Sequence, residues 1–245
     1  MVEAAQMLDL FTSVGLEAME SLRGVVERDT MTGTHPGQYG LDVVVDTLVT
    51  RRLVAAGCVV LSEESGVRGE GGITVVVDPV DGSTNAARRL WPYALSLCAV
   101  DAEGSWVAMV MELSAGSSFT AIRGAGAWRD GCAIQRSAPQ MDRLIVGVNG
   151  QVASKQWWQT RSLGCASMEL CMVAAGQLDG YVSGEDGHGV WDYLAAALVL
   201  QECDAVVVDV LGRPLLTFDV SQRRRLLAGA NAEVAELLLS GQGRR

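Results

Sequence analysis

Four carboxylates stand where hydrophobic runs begin or end. Glu63 follows "CVVL", Asp78 and Asp81 follow "TVVV", and Asp192 opens "WDYLAAALVLQE". Only Pro79 and Val80 separate the two aspartates in the stretch "TVVVDPVDGSTN". Like charges this close repel, and removal from water makes the repulsion worse. A cation between them would let both stay ionised. Ligands that are all oxygen suit a hard ion such as Mg²⁺. Two carboxylates across a tight turn could bridge two ions about 3.5–4 Å apart, the geometry of two-metal phosphoryl chemistry.

Each station also has a plainer reading. Asp, Pro and Gly favour turns, so "DPVDG" can be a turn and nothing more. "SEESG" alone reads as a solvated loop, and Asp192 alone as a first-turn carboxylate at a helix start. The combination of the four is what points to a metal site. Other motifs fail on spacing. A calcium-binding loop starting at Asp78 needs Gly at its sixth position and Glu at its twelfth, where this chain has Ser83 and Arg89. Phosphatases of the haloacid-dehalogenase type place one residue between two aspartates after a strand; here there are two. The single lysine, Lys155, excludes a GxxxxGK[ST] phosphate loop.

The bulk properties are those of a soluble globular enzyme. The chain has 245 residues, 49% hydrophobic and 20% charged, enough for one large domain or two closely packed halves. A net charge of −10 argues against a nucleic-acid polymer as partner. It does not oppose a small phosphate ester, because bound cations invert the local field. Six cysteines are scattered without a CxxC pair or zinc spacing, and read as reduced core residues. "MVEAAQMLDLF" places no basic segment before an apolar one, and no apolar run approaches the roughly 20 residues of a membrane span. The expectation is a cytoplasmic protein with no membrane partner.

The elements that must position these residues follow from periodicity. "AAQMLDLFTSVGLEAMESLRGVVE" has helical spacing, "TMTGTHPGQYG" breaks it, and "DTLVTRRLVAAG" reads as a second helix. "CVVL" and "GITVVVD" read as strands. Residues from Tyr93 to Trp128 read as an antiparallel meander with turns at "DAEG", "SAGS" and "RGAG". Beyond "SAPQMD" strands alternate with helices: "RLIVGVN", "CASMELCMVAAG", "LDGYV", "WDYLAAALVLQEC", "AVVVDV", "RRLLAGA" and "NAEVAELLL", the last capped by Asn231. The boundary falls near residue 140, dividing residues 1–140 from 141–245.

"DPVDGSTN" after a hydrophobic strand, with "SEESG" upstream and "WDYLAAALVLQE" downstream, resembles the inositol monophosphatase family, whose pattern is GEES, DPIDGTTNF and WDxAAGxxIxxEAGG. "ELCMVAAGQLDGYV" is similar to that family's segment before the last motif, and the resemblance covers most of residues 40 to 230. It implies a layered αβαβα sandwich, with an α+β N-terminal half carrying most metal ligands and an α/β C-terminal half. It further implies a homodimer and Mg²⁺-dependent hydrolysis of phosphate monoesters, Mn²⁺ being the alternative ion. By position, Glu63, Asp78 and the Val80 carbonyl would hold one ion, and Asp78, Asp81 and Asp192 a second. A third, weaker ion would use Glu63 and water. Gly82 and Ser83 would offer backbone N–H groups to phosphate, with Gly164 and Ala166 also on the substrate side. Ser83, paired with Asp46, would orient the attacking water.

The departures concern the substrate. Ser83 stands where the family has Thr, and the family's lysine before Asp46 has no counterpart, although His35 falls nearby. Ala86 replaces Phe after Asn85, followed by Arg88 and Arg89, which read as surface charge or as partners for a second anionic group. In "YVSGEDGHGVWD" the family's substrate-contacting glutamate maps to Ser183 counted from Gly164 and to Glu185 counted from Asp192. His188 lies in the same loop and faces substrate or solvent. The reading is therefore a phosphatase of an inositol, sugar or related polyol phosphate. The alternatives are a nucleotide phosphatase (3′-phosphoadenosine type or nucleoside monophosphate), a histidinol-phosphate phosphatase and a non-catalytic relative.

Overall fold

A computed structural model describes residues 3–25, 39–152 and 155–241. His35 lies outside the described residues. Five layers alternate helices and sheets. The outer layer is α1 (Ala4–Val25) and α2 (Gly40–Ala55). The first sheet contains β1 (Val59–Ser62), β2 (Gly66–Arg68), β3 (Thr74–Asp81), β4 (Ala94–Asp101), β5 (Gly104–Glu112), β6 (Ser118–Ile122), β7 (Gly126–Arg129) and β8 (Cys132–Ala133). A short helix, α3 (Ser83–Arg88), leaves the end of β3. The middle layer is α4 (Ala166–Ala174) and α5 (Val190–Gln201). The second sheet contains β9 (Ile145–Asn149), β10 (Gln159–Arg161), β11 (Gly180–Ser183), β12 (Val206–Asp209) and β13 (Leu226–Gly229), and α6 (Ala232–Gly241) covers its far side. The strand orders are β2-β1-β3-β4-β5-β6-β7-β8 and β10-β9-β11-β13-β12.

The first sheet is buried on both faces, and the alternation of side chains sorts its residues. Val75 and Val77 of β3, with Leu95 and Leu97 of β4, pack against Phe11 and Val14 of α1 and Val45 and Val49 of α2. Val76 and Cys98, one residue out of phase, pack against Leu170 of α4 and Leu194 and Leu198 of α5. Two buried faces explain why β3 and β4 read as unbroken hydrophobic runs. The second sheet packs Val146, Val182 and Leu227 against Val234 and Leu238 of α6.

Most elements lie where the periodicity puts them, including the Asn231 cap, whose Oδ1 accepts the Val234 N–H at 2.9 Å. Three differ. α2 starts at Gly40, six residues before Asp46. Asp42 accepts the Tyr39 N–H at 3.1 Å, satisfying an end donor and carrying the helix through a valine run of weak helix propensity. β3 continues through "DPVD", with a register shift against β4 between Asp78 and Asp81, so the chain turns at Gly82. Strands β2 and β10 are three-residue additions at sheet edges, too short to show a period. Cys132 is exposed, unlike the buried Cys58, Cys98, Cys165 and Cys171. No helix among the described residues is long and apolar enough to cross a membrane.

Candidate active site

Strand register brings the first two carboxylates together. β1 and β3 run parallel with Ser62 opposite Val77, so the next residues, Glu63 and Asp78, fall side by side. The Glu63 N–H donates to the Val77 carbonyl at 3.1 Å and continues the ladder. Across β3, Asp78 faces Ser96 of β4, whose hydroxyl donates to the Trp191 carbonyl at 3.1 Å. That bond ties the start of α5 to the sheet edge and delivers Asp192. One carboxylate oxygen from each of Glu63, Asp78 and Asp192 lies within 4.8 Å of the others.

Asp81 approaches from the same strand. Residues three apart on a regular strand point to opposite faces, and the irregularity between Asp78 and Asp81 breaks that alternation. Asp81 Oδ2 accepts the backbone N–H and the hydroxyl of Ser167, both at 2.6 Å, and the Cys165 thiol at 3.2 Å. Its charge thus sits at the N-terminus of α4, where the helix dipole favours an anion. Gly82, with φ +89°, makes the turn, and a Cβ there would come within 3.1 Å of the Gly164 and Pro92 carbonyls.

The carboxyls disturb one another. Burial raises Asp78 well above the ordinary range, helped by Glu63, Asp81 and Asp192. Asp81 is raised by burial and then by Asp192, against the lowering effect of Ser167. Glu63 is pushed up to about 8 by desolvation, followed by Asp192, Glu64, Asp81 and Asp42. One side of Glu63 remains open to solvent, which moderates this shift. Among the described residues, no cationic side chain offsets these shifts. The cluster's oxygen-only donors within 4.8 Å are compatible with Mg²⁺, whose opposite ligands stand roughly 4.2 Å apart at 2.1 Å bonds. Val80 is buried behind them, its N–H on Asp78 Oδ1 at 3.0 Å and its carbonyl accepting the Ser83 hydroxyl at 2.9 Å.

Asp46 and Ser83 make separate bonds. Asp46 Oδ1 accepts from Ser62 at 2.5 Å, Ser65 at 3.2 Å and Thr50 at 3.4 Å. Gly164, exposed at φ +76°, and Ala166, buried, flank Cys165 at the head of α4. Glu185 is exposed at the tip of the loop before α5, and Ser183 is buried, its hydroxyl accepting the Leu226 N–H at 2.7 Å. Ser183 is thereby committed to the sheet. His188 is 8% exposed and turned inward: Nε2 lies 2.8 Å from the Tyr181 hydroxyl and Nδ1 3.3 Å from Asp192 Oδ2. Arg88 and Arg89 are exposed.

Sequence reasoning passed over several supporting groups. Asn85, inside the motif, donates through Nδ2 to the carbonyls of Leu163 at 2.7 Å and Pro92 at 2.8 Å, joining α3 to the loop before α4. Ser62 and Ser167 carried no signal, because their partners are distant in sequence, and Tyr181 carried none because the loop between it and His188 has no period that shows which way the ring turns. Two clefts, of about 360 and 600 Å³, lie beside Trp91 and along the outer side of α5. Neither is lined by a cluster carboxylate, so chemistry and not concavity identifies the site.

Known proteins resemble this chain over most of its length. The model of the inositol monophosphatase family matches residues 41–243. A fructose-1,6-bisphosphatase from Pyrococcus furiosus is 30% identical over 206 residues, covering 82% of this chain and 81% of that protein. Human inositol monophosphatase 1 is 29% identical over 199 residues, covering 72% and 70%. A solved inositol monophosphatase–fructose 1,6-bisphosphatase superposes with a TM-score of 0.85 at 21% identity, covering 95% of this chain and 98% of its own. That last likeness is one of fold. With the motif residues gathered beside the ends of β1 and β3 and the family model spanning most of the chain, the protein belongs to the inositol monophosphatase family.

Proposed function

We propose that this protein is a Mg²⁺-dependent phosphomonoesterase acting on a small polyol or sugar phosphate. Membership of the family makes it a phosphoric monoester hydrolase of the inositol monophosphatase kind. The observation that carries the metal assignment is the trio Glu63, Asp78 and Asp192, oxygen ligands within 4.8 Å whose carboxyls have no Lys or Arg partner among the described residues. Glu63, Asp78, the Val80 carbonyl, Asp81 and Asp192 would hold two or three ions, and Mn²⁺ can replace Mg²⁺. Bound there, the ions would acidify the attacking water and stabilise the leaving oxygen.

The chain's own groups do the rest. Gly82 and Ser83 offer N–H groups to the phosphate at the turn into α3, and Gly164 and Ala166 border it from the head of α4. Asp46 and Ser83 hold water beside the phosphorus. Glu185 meets the alcohol portion. The names of the relatives, a fructose-1,6-bisphosphatase and an inositol monophosphatase, favour a polyol or sugar ester over a nucleotide. A homodimer in the cytoplasm completes the proposal.

The test is phosphate release from inositol, sugar, histidinol and nucleotide monoesters, with Mg²⁺ and with EDTA. Hydrolysis of a polyol or sugar ester that stops in EDTA is expected. Asp81→Asn should lower kcat at least ~10²-fold, since it removes charge at a shared metal site. Full turnover in EDTA would defeat the metal assignment, and a clear preference for nucleotides would defeat the substrate class.

A further inference from the structure

The loop before Asp192 contains a hydrogen-bonded chain that the catalytic proposal does not use. Tyr181, on β11, is fully buried, and its hydroxyl meets His188 Nε2 at 2.8 Å. The opposite ring nitrogen, Nδ1, meets Asp192 Oδ2 at 3.3 Å. The His188 backbone is clamped on both sides by Arg224, its N–H donating to the Arg224 carbonyl and its carbonyl accepting the Arg224 N–H, each at 2.9 Å. Gly187, at φ +65°, leaves no room for a side chain, because a Cβ would stand 2.8 Å from the Arg224 carbonyl oxygen. The ring therefore has a fixed place.

Donor chemistry orders the protons. An ionised carboxylate only accepts, so Nδ1 carries the hydrogen toward Asp192. In the neutral ring Nε2 is then an acceptor, and it satisfies the Tyr181 O–H, which a buried site would otherwise leave at a cost of about 1–3 kcal/mol. Asp192 Oδ2 also receives the Gly189 N–H at 2.8 Å. Two donors thus fall on a single oxygen, and the carboxylate cannot rotate without losing both.

We infer that His188 is a positioning residue that, backed by Tyr181, holds the Asp192 carboxylate in the orientation required for metal binding. The inference rests on the metal reading of the carboxylate cluster and goes beyond it, since it moves His188 from the substrate to the support of a ligand. Groups behind a metal-binding residue typically contribute 10- to 100-fold in affinity.

The experiment is direct Mn²⁺ binding, read from the electron paramagnetic resonance signal of the free ion, with each variant's metal-free melting temperature recorded alongside. His188→Ala should weaken Mn²⁺ binding about 10-fold or more. His188→Asn keeps a donor at the Nδ1 position and should restore most of that affinity. His188→Gln, whose amide reaches toward Tyr181 instead, should not. Tyr181→Phe leaves the ring in place but removes its backing, and should weaken binding by a smaller factor, below about 10-fold. The inference is overturned if His188→Ala binds Mn²⁺ as the parent does. It is equally overturned if Asn and Gln bind alike and affinity follows melting temperature across the set, which is what simple loss of packing would give. A parent protein that binds no Mn²⁺ would remove the metal reading together with this one, whereas a binding parent with an unaffected Ala variant removes this one alone.

Discussion

The Ser62 hydroxyl donates to Asp46 Oδ1 at 2.5 Å, while Ser83, the residue expected to pair with Asp46, donates to the Val80 carbonyl. Ser62 also accepts the Glu64 N–H at 3.2 Å, so it links α2 to the loop that carries Glu63. Residues joined by a hydrogen bond couple, and residues with separate partners add. In the metal-free protein, Asp46→Ala and Ser62→Ala should therefore be non-additive in urea unfolding, with a coupling of about 1 kcal/mol or more. Asp46→Ala and Ser83→Ala should add within about 0.5 kcal/mol. A large Asp46–Ser83 coupling would mean that the two meet in solution and that the Ser62 bond is secondary.

The crowded carboxyls make stability depend on pH and on metal. Glu63, Asp78 and Asp81 all hold their protons more tightly when folded than when unfolded. Their contribution is full below the ordinary carboxyl range and is lost as pH rises toward about 8, where Glu63 ionises. In EDTA the melting temperature should fall over that interval, and Mg²⁺ should flatten the fall by neutralising the cluster. Asp78→Asn removes one of the repelling charges. In EDTA at pH 8 it should melt a few degrees above the parent, on the scale of about 2–4 °C per kcal/mol for a chain of this size. With Mg²⁺ its gain should be smaller than the parent's. Scanning calorimetry with and without chelator reads both, and a variant that melts lower in EDTA would show that Asp78 has a cationic partner within the protein.

What was legible in the sequence follows from the range of the interactions. Glu63, Asp78 and Asp192 could be found because each stands where a hydrophobic run stops or starts, although β3 itself continues past Asp78. The β3 and β4 strands could be found because burial on both faces leaves no polar interruption. The anchoring of Asp81 could not, since Ser167 lies 86 residues away and a serine at a helix start is commonplace. The direction of His188 was hidden for a similar reason: the loop does not show that Tyr181 and the Arg224 backbone wait on its inner side. The start of α2 was obscured by Val43, Val44 and Val45, residues of low helix propensity that the Asp42–Tyr39 bond and the burial of Val45 overcome.

Glu169 gives a second pH signature, from a carboxyl outside the proposed metal ligands but close enough to feel Asp81. It is fully buried in α4, Oε1 accepts the Leu163 N–H at 3.3 Å, and Oε2 has no hydrogen-bond partner among the described residues. Burial raises its carboxyl to about 7, with Asp81 adding to the rise and backbone donors opposing it. The protonated form is therefore the one the fold accommodates. Its stabilisation is present below about pH 4.5 and is lost as pH rises through about 7, an effect of roughly 3 kcal/mol. Glu169→Gln imitates the protonated shape without titrating. The variant should match the parent near pH 5 and exceed it by on the order of 2 kcal/mol at pH 8, in urea unfolding with EDTA present. An advantage equal at both pH values would mean that Glu169 is ionised throughout.

Substrate choice should reside in Glu185. The groups proposed to hold phosphate and metal are common to every monoester, so they cannot select among alcohols. Selection needs a side chain beside the leaving group. Between Ser183 and α5, Ser183 is committed to Leu226 and His188 to Asp192, whereas Glu185 and Asp186 are exposed at the tip, and Glu185 has the longer reach. A carboxylate that accepts hydrogen bonds from substrate hydroxyls discriminates against analogues lacking them. Glu185→Gln should therefore change the ratio of kcat/KM between a polyol phosphate and a monoester with fewer hydroxyls by about 10-fold, or ~1.4 kcal/mol. Mn²⁺ affinity should stay at the parent value, because Glu185 is outside the carboxylate trio. Assays of both esters on parent and variant, beside the metal titration, separate the possibilities. If both substrates fall by one factor, the loop does not select, and the exposed Arg88 and Arg89 after the DPVDGSTN turn become the groups to change next.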